Sequence, residues 1–193
     1  ADNGVQHVTL TGPNGPVELD VPLPGAFNVA NAAVAWAALA ALGVDGPDAA
    51  SGIARVAVPG RMERIDEGQD FLAVVDYAHK PAAVAEVLRT LAAQTQGRII
   101  AVVGAGGDRD ATKRPLMGAE AAKIADVVIV TDDNPRTEDP KLIREAVASG
   151  AFEVQAERGD AVRVEVIGDR AEAIDLAIRL AATGDSVVVA GKG

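Results

Sequence analysis

Polar residues that could bind a small charged molecule follow four apolar stretches of the chain. These polar segments are Tyr77 to Pro81, Gly104 to Asp110, Thr131 to Arg136 and Gly191 to Gly193. Arg109 and Arg136 each carry a guanidinium, which can hold a carboxylate through two parallel hydrogen bonds. Asp133 could accept an ammonium group. Together, the three side chains suit a zwitterionic amino acid as the ligand.

The two apolar stretches around the glycine-rich segment indicate how these residues are positioned. Ile99 to Val103 and Val127 to Thr131 are rich in β-branched residues and too continuous for strands with one solvated face. They therefore predict parallel strands covered by helices on both faces, with Lys113 to Ile124 as the helical crossover. Ligands of such sheets bind at the carboxyl ends of the strands. The four polar segments are thus expected to share one edge and form a pocket.

Each polar residue also has an ordinary structural explanation when taken alone. Asp76 could form a turn at a strand end, and His79 could be a solvated residue at a helix entry. Asn134-Pro135 is a common turn pair. Arg136 could form a surface ion pair. The pocket hypothesis depends on these segments occurring together.

The remaining pattern predicts a strand-rich beginning followed by repeated strand and helix units. Strands are predicted at Val5–Thr11, Val17–Val21, Met62–Ile65, Phe71–Asp76, Val162–Ile167 and Ser186–Ala190, with a hairpin turn at Pro13 to Pro16. Helices are predicted at Phe27–Leu42, at Pro47–Val56, from Pro81 (with Val84, Val87, Leu88 and Leu91 apolar), from Asp139-Pro140 (Leu142, Ile143, Ala146 and Val147) and after an Asp169 cap (Ile174, Ala177, Ile178 and Ala181). Pro59-Gly60 is the expected boundary, between the tail of one domain at residues 1–57 and an α/β domain at residues 58–193.

Composition excludes several classes of protein. Apolar residues make up 49% of the 193 residues and aromatic residues only 3%, so the core must consist of Ala, Val, Ile and Leu. The absence of cysteine excludes disulfides and thiolate metal sites and fits a reducing compartment. The net charge of -10 argues against duplex nucleic acid as a partner but permits nucleotides. We expect no membrane segment, because no apolar run is long enough to span a bilayer.

A dinucleotide site is an alternative explanation of the glycine-rich segment. Gly104 and Gly106 follow a strand, and Asp132 follows the next one. Arg109, however, occupies the position where the dinucleotide motif requires Gly or Ala. No Gly-Lys-Ser/Thr follows the glycines either, which argues against a phosphate-binding loop.

Six ordered motifs resemble those of the Mur ligases, in particular the branch that adds meso-diaminopimelate. They are Gly25-Ala26-Phe27-Asn28-Val29-Ala30-Asn31, Pro59-Gly60-Arg61-Met62-Glu63, Asp76-Tyr77-Ala78-His79-Lys80-Pro81, Gly106 to Asp110 with Lys113 to Gly118, Asp133-Asn134-Pro135-Arg136 and Ala190-Gly191-Lys192-Gly193. The resemblance extends from Gly25 to Gly193. It implies a Rossmann-like, mostly parallel carboxy-terminal domain preceded by the tail of the central ATP-binding domain.

The resemblance also implies roles for individual residues. The nucleotide-binding residues would be Asn28 and Asn31 toward adenine, Arg61, Asp76 toward the ribose, and His79 toward the phosphates. The meso-diaminopimelate site would comprise Arg109, Asp133, Asn134, Pro135, Arg136 and Gly191. Arg136 would decide the substrate, since lysine-adding relatives lack it and lysine has no distal carboxylate. The His-Glu pair that follows the last Gly-Lys-Gly in the family is missing from this sequence.

The activity implied is an ATP-dependent ligation in peptidoglycan biosynthesis. ATP, with Mg2+, would phosphorylate the carboxylate of UDP-MurNAc-L-Ala-D-Glu, and the amine of meso-diaminopimelate would attack the acyl phosphate. The P-loop, the carbamylated lysine, most magnesium ligands and the UDP-sugar domain are expected outside this chain, which would have no catalytic or metal-binding residue of its own and be inactive alone. We expect a cytoplasmic monomer. A lysine-adding or other Mur ligase, or a non-catalytic dinucleotide-binding domain, are the alternatives.

Overall fold

The computed structural model describes residues 5–12 and 15–191 and divides the chain into two units, Ala1–Pro59 and Gly60–Gly193. Residues 13 and 14 of the predicted hairpin turn, and residues 192 and 193 of the last polar segment, lie outside the described residues.

The first unit is a two-stranded hairpin with two helices. Strands β1 (Gln6–Gly12) and β2 (Gly15–Val21) pair antiparallel, and helices α1 (Ala26–Ala41) and α2 (Gly46–Ile53) follow. Its small core is formed by Leu19, Val21, Ala32 and Ile53. Gly43, two residues after the end of helix α1, terminates the helix with a φ of 79°, which is accessible to glycine without strain. The hydrogen bonds Gly43 N–H to Ala40 O and Val44 N–H to Leu39 O, both 3.0 Å, form a Schellman motif there.

The second unit is an α/β domain built on a six-stranded sheet. Its elements are β3 (Glu63–Ile65), β4 (Leu72–Asp76), α3 (Pro81–Ala92), β5 (Ile99–Val103), α4 (Lys113–Ile124), β6 (Val127–Val130), α5 (Pro140–Arg158), a 3-10 turn (Gly159–Ala161), β7 (Arg163–Val166), α6 (Arg170–Leu180) and β8 (Ser186–Ala190). The strand order is β3-β4-β8-β5-β6-β7. Only β3 runs antiparallel to its neighbour. This arrangement confirms the predicted mostly parallel α/β fold.

Helices cover both faces of this sheet, as the continuous apolar strands predicted. All five residues of β5 and all four of β6 are buried. One face of β5, carrying Ile100 and Val102, packs against Ala173 and Ala177 of α6. Helices α3, α4 and α5 contact one another in series and cover the other face. No helix among the described residues combines the length and the hydropathy needed to cross a bilayer.

Two of the apolar residues that indicated helices α5 and α6 are exposed. Leu142 in α5 is 61% exposed, so the prediction that it shares one face with Ile143 and Val147 was wrong, and Ile178 in α6 is 48% exposed. The buried face of α5 instead includes Gly150, where the helix approaches α4 closely. A Cβ on Gly150 would lie 1.9 Å from the Pro115 carbonyl oxygen.

Candidate functional site

The loops that follow the parallel strands lie along one edge of the sheet and are joined by backbone hydrogen bonds. The Gly191 N–H, after β8, donates to Asp76 O at the end of β4 over 3.0 Å. The Asp132 N–H, after β6, donates to Gly168 O after β7 over 3.3 Å. The polar segments therefore meet where the strand directions place them.

The glycine-rich loop after β5 docks backbone to backbone against the loop after β6. A Cβ on Gly104 would lie 2.7 Å from Thr131 O, and one on Gly107 would lie 1.9 Å from Pro135 O. The Gly107 N–H donates to Asn134 O over 2.8 Å. These glycines are therefore needed for contact with a neighbouring loop. Their presence is explained without a bound dinucleotide.

Arg136 lies directly on the glycine-rich loop. Its Nη1 donates a hydrogen bond to Gly107 O and lies 3.1 Å from the position that a Cβ would take on Gly106. The Asn134 side-chain oxygen accepts a hydrogen bond from the Arg136 N–H over 3.3 Å. Arg109 belongs to the loop on which Arg136 lies, and its side chain is exposed. Both arginines thus project from one pair of docked loops.

Asp133 lies beside two glycines and an arginine. Its Oδ2 is 3.6 Å from the Cβ position of Gly191, and its Cβ is 3.3 Å from that of Gly104. Gly191 has a φ of 101°, which favours glycine. Arg170, the first residue of α6, is close enough to Asp133 to interact electrostatically with it. Burial lowers the pKa of Arg170, and the Asp133 carboxylate opposes that shift.

Arg170 joins the ends of two strands. Its guanidinium donates to Ala190 O of β8 over 3.0 Å and to Asp132 O after β6 over 3.4 Å. The sequence analysis missed this residue. The signal was present, because the strand predicted at Val162–Ile167 also ends in a polar segment, Gly168-Asp169-Arg170, at the same sheet edge.

Asp76 organises the loops at the β4 end of the site. It is 5% exposed, and its two carboxylate oxygens accept the Met62 and Ala78 N–H groups, each over 2.8 Å. The carboxylate thus fixes the segment after Gly60 and the segment after β4 relative to each other. Each of these oxygens accepts one bond and has the capacity to accept a second.

An exposed stack of three side chains lies next to Asp76. The Arg61 guanidinium carbon is 4.3 Å from the centre of the Tyr77 ring, and the His79 ring meets Tyr77 edge-on at 5.0 Å. The Lys113 ammonium donates to His79 O over 3.3 Å. This group of cationic and aromatic side chains suits a ligand with a planar ring and anionic groups. Tyr77 had no assigned role in the sequence analysis.

Asn28 and Asn31 belong to the first unit, on α1. Asn28 is buried, and its side-chain amide donates to Pro24 O over 2.8 Å. The exposed Asn31 donates to the Asn28 side-chain oxygen over 3.5 Å. Asn28 thus fixes the chain at the start of α1, and Asn31 is presented at the surface of its unit.

Known proteins similar to this chain match it over most or all of its length. Residues 60–193 match the model of the Mur ligase, glutamate ligase domain. The UDP-N-acetylmuramoyl-L-alanyl-D-glutamate--2,6-diaminopimelate ligase of Corynebacterium glutamicum is 59% identical over 194 residues, covering 100% of this chain and 38% of that protein. The relative of the same name from Streptomyces coelicolor is 54% identical, covering 96% of this chain and 37% of its own length. The chain therefore spans less than two fifths of these curated relatives.

Solved structures of related ligases also match nearly the whole chain. A structure of a UDP-N-acetylmuramoyl-L-alanyl-D-glutamate--2,6-diaminopimelate ligase has a TM-score of 0.64 and 41% identity, covering 97% of this chain and 37% of that one. Mycobacterium tuberculosis folylpolyglutamate synthase, complexed with ADP and AMPPCP, has a TM-score of 0.76 and 27% identity, covering 98% and 43%. Since the family model matches more than half of its residues, the chain belongs to the Mur ligase family, with its glutamate ligase domain at residues 60–193.

Proposed function

We propose that this chain is the carboxy-terminal part of an ATP-dependent ligase that joins meso-diaminopimelate to UDP-MurNAc-L-Ala-D-Glu in peptidoglycan biosynthesis. Two relatives with that name align with 96% or more of the chain at 54% identity or higher. The enzyme would act in the cytoplasm as a monomer.

The placement of Arg136 is the observation that carries this proposal. Its guanidinium lies on the glycine-rich loop, where it has one hydrogen bond to Gly107 O. A planar guanidinium has five N–H donors, and this is its one hydrogen bond to the described residues, so further donors remain to bind a carboxylate. An amine with a distal carboxylate uses these donors, whereas lysine would leave them without an anion.

The surrounding residues suit the other groups of a dicarboxylic diamine. Arg109 would bind a carboxylate of the substrate from the neighbouring loop. Asp133 would bind the ammonium group that does not react, and Gly191 would leave room beside it. Asn134 and Pro135 would fix the backbone between Asp133 and Arg136. Catalysis would come mainly from positioning the reactive amine.

ATP would be bound by the Arg61, Asp76 and His79 region of the second unit, and it would supply the phosphoryl group. Asn28 and Asn31 of the first unit are the residues that the family resemblance assigns to adenine binding. The cation–aromatic stack of Arg61, Tyr77 and His79 fits a nucleotide. The described residues do not form a Mg2+ site, since they include no group of three or more acidic or histidine side chains that could hold a metal ion. We therefore assign no step to a metal held by this chain.

The proposal can be tested by replacing Arg136 in the full-length protein. Arg136→Ala is expected to raise the KM for meso-diaminopimelate about 10- to 100-fold, because hydrogen bonds between charged groups are lost. The KM for ATP should not change. Arg179→Ala is a matched control, because Arg179 lies on the exposed surface of α6 and pairs there with Asp175. An unchanged KM for meso-diaminopimelate in Arg136→Ala, or a lower KM for lysine than for meso-diaminopimelate in the wild type, would contradict the proposal.

A further inference from the structure

Four side chains join the loop that carries Arg109 to the loop that carries Arg136. We call the set Asp108, Arg114, Thr137 and Glu138 the clasp. The Asp108 carboxylate accepts hydrogen bonds from the Thr137 hydroxyl over 2.8 Å and from the Thr137 N–H over 3.2 Å. In return, the Asp108 N–H donates to the Glu138 carboxylate. The contacts are reciprocal, so neither loop can move without breaking bonds to the other.

Arg114 anchors the clasp in the domain interior. It is 5% exposed, and its guanidinium pairs with the Glu138 carboxylate over 2.7 Å. The hydrogen bond from Arg114, and next the one from the Asp108 N–H, lower the pKa of Glu138. The carboxylate therefore stays ionised and links a buried cation on α4 to the Asp108 backbone.

Two of the clasp residues are immediate chain neighbours of the arginines. Asp108 precedes Arg109, and Thr137 follows Arg136. Asp108 and Arg136 both have a φ of 51°, a left-handed conformation that non-glycine residues adopt only when their surroundings hold them there. The direction in which each arginine leaves its loop thus depends on backbone that the clasp fixes.

We propose that the clasp sets the spacing between the Arg109 and Arg136 guanidiniums, and thereby selects an amine whose two carboxylates match that spacing. This inference rests on the proposed function, in which the two arginines bind the substrate. The clasp residues are positioning residues, because their side chains are occupied with each other. Substrate specificity would then depend on contacts between loops as well as on the residues that touch the ligand.

The inference can be tested in the full-length protein by removing a single atom group of the clasp, the Thr137 hydroxyl. Thr137→Val keeps the size of the side chain and removes its hydrogen bond to Asp108, whereas Thr137→Ser keeps the hydroxyl. Thr137→Val is expected to raise the KM for meso-diaminopimelate about 3- to 10-fold, with kcat and the KM for ATP within about 2-fold of the wild type. Thr137→Ser should restore the wild-type KM.

A matched control exists in the first unit. The exposed Thr9 hydroxyl also donates to a carboxylate, that of Glu18, over 2.8 Å. Thr9→Val removes the same type of bond from the β1-β2 hairpin and should leave every kinetic constant unchanged.

A double variant separates positioning from general damage to the fold. Once Arg136 is absent, no spacing between two guanidiniums remains to be set, so adding Thr137→Val to Arg136→Ala should raise the KM for meso-diaminopimelate by a smaller factor than Thr137→Val does alone. A multiplicative increase in the double variant would overturn the inference, as would a Thr137→Val protein with wild-type KM. If Arg136→Ala itself has no effect, the proposed function fails as well; if Arg136→Ala has an effect and Thr137→Val has none, only the clasp is refuted.

Discussion

Replacing Gly107 by alanine should separate the two loops of the site. The new Cβ would lie 1.9 Å from the Pro135 carbonyl oxygen and 2.7 Å from its carbon, whereas ordinary contacts begin at 3.4 Å. Both atoms are backbone, so no side-chain rotation relieves the overlap, and the loops must move apart by about 1.5 Å. The 2.8 Å hydrogen bond from the Gly107 N–H to Asn134 O would then be broken.

The expected loss of stability follows from these contacts. Overpacking of this kind costs about 1–3 kcal/mol, and each backbone hydrogen bond lost adds about 0.5–1.5 kcal/mol. We therefore expect the free energy of unfolding of the second unit to fall by about 2–4 kcal/mol.

Urea unfolding of the 193-residue chain, followed by far-UV circular dichroism, measures this loss. Trp36, the only tryptophan of the sequence, lies in the first unit, so its fluorescence reports on that unit and circular dichroism is needed to follow the second. Two further glycines are matched controls. Among the described residues, a Cβ on Gly106 would meet the movable tip of Arg136 and, 3.5 Å away, Asn134 O, and one on Gly52 in α2 would meet none within 4 Å. Loop docking is refuted if Gly107→Ala is no less stable than Gly106→Ala and Gly52→Ala.

Two more predictions concern charged residues of the second unit. Asp185 is 4% exposed; burial by itself would raise its pKa, but the Arg98 N–H, the Ala182 N–H and the Arg98 guanidinium lower it overall. Because the folded pKa lies below the unfolded one, its stabilisation is present at neutral pH and is lost as the pH falls below about 4. Asp185→Asn should therefore cost about 1–3 kcal/mol near neutral pH and flatten the acid decline in urea titrations; an unaltered acid decline would contradict this. Arg170→Lys keeps the charge beside Asp133 but cannot donate to two strand ends in the same geometry, so the full-length protein should show a KM for meso-diaminopimelate raised about 3- to 10-fold. An equal KM in this variant would show that Arg170 does not position the site.

Local sequence patterns determined most of the secondary structure. The β-branched composition of β5 and β6 predicted buried parallel strands, because a strand covered on both faces cannot alternate polar and apolar residues. The predicted cap at Asp169 is confirmed by its hydrogen bond from the Glu172 N–H over 3.0 Å. Such features depend on residues close together in the chain, so the sequence alone is sufficient to predict them.

The strand order needed the tertiary structure. Strand β8 is the last in the chain, yet it lies between β4 and β5 at the centre of the sheet. Strands pair through backbone hydrogen bonds, and every buried apolar strand offers the same backbone donors and acceptors. The residues of a strand therefore do not specify which strand lies beside it. The close approach of α4 and α5 likewise depends on Gly118 and Gly150, which lie more than 30 positions apart in the chain.

In the candidate site, too, the sequence determined some features and the tertiary structure determined others. The sequence determined which residue types follow the strands, and hence that Arg109, Asp133, Arg136 and Gly191 lie at one sheet edge. Only the tertiary structure decided that Pro135 O occupies the space that a side chain would take at Gly107. It also decided that Arg170 joins two strand ends and that the Thr137 hydroxyl donates to Asp108. These contacts join segments about 20 to 40 residues apart, and their distances depend on how helices and strands pack, which no local pattern specifies.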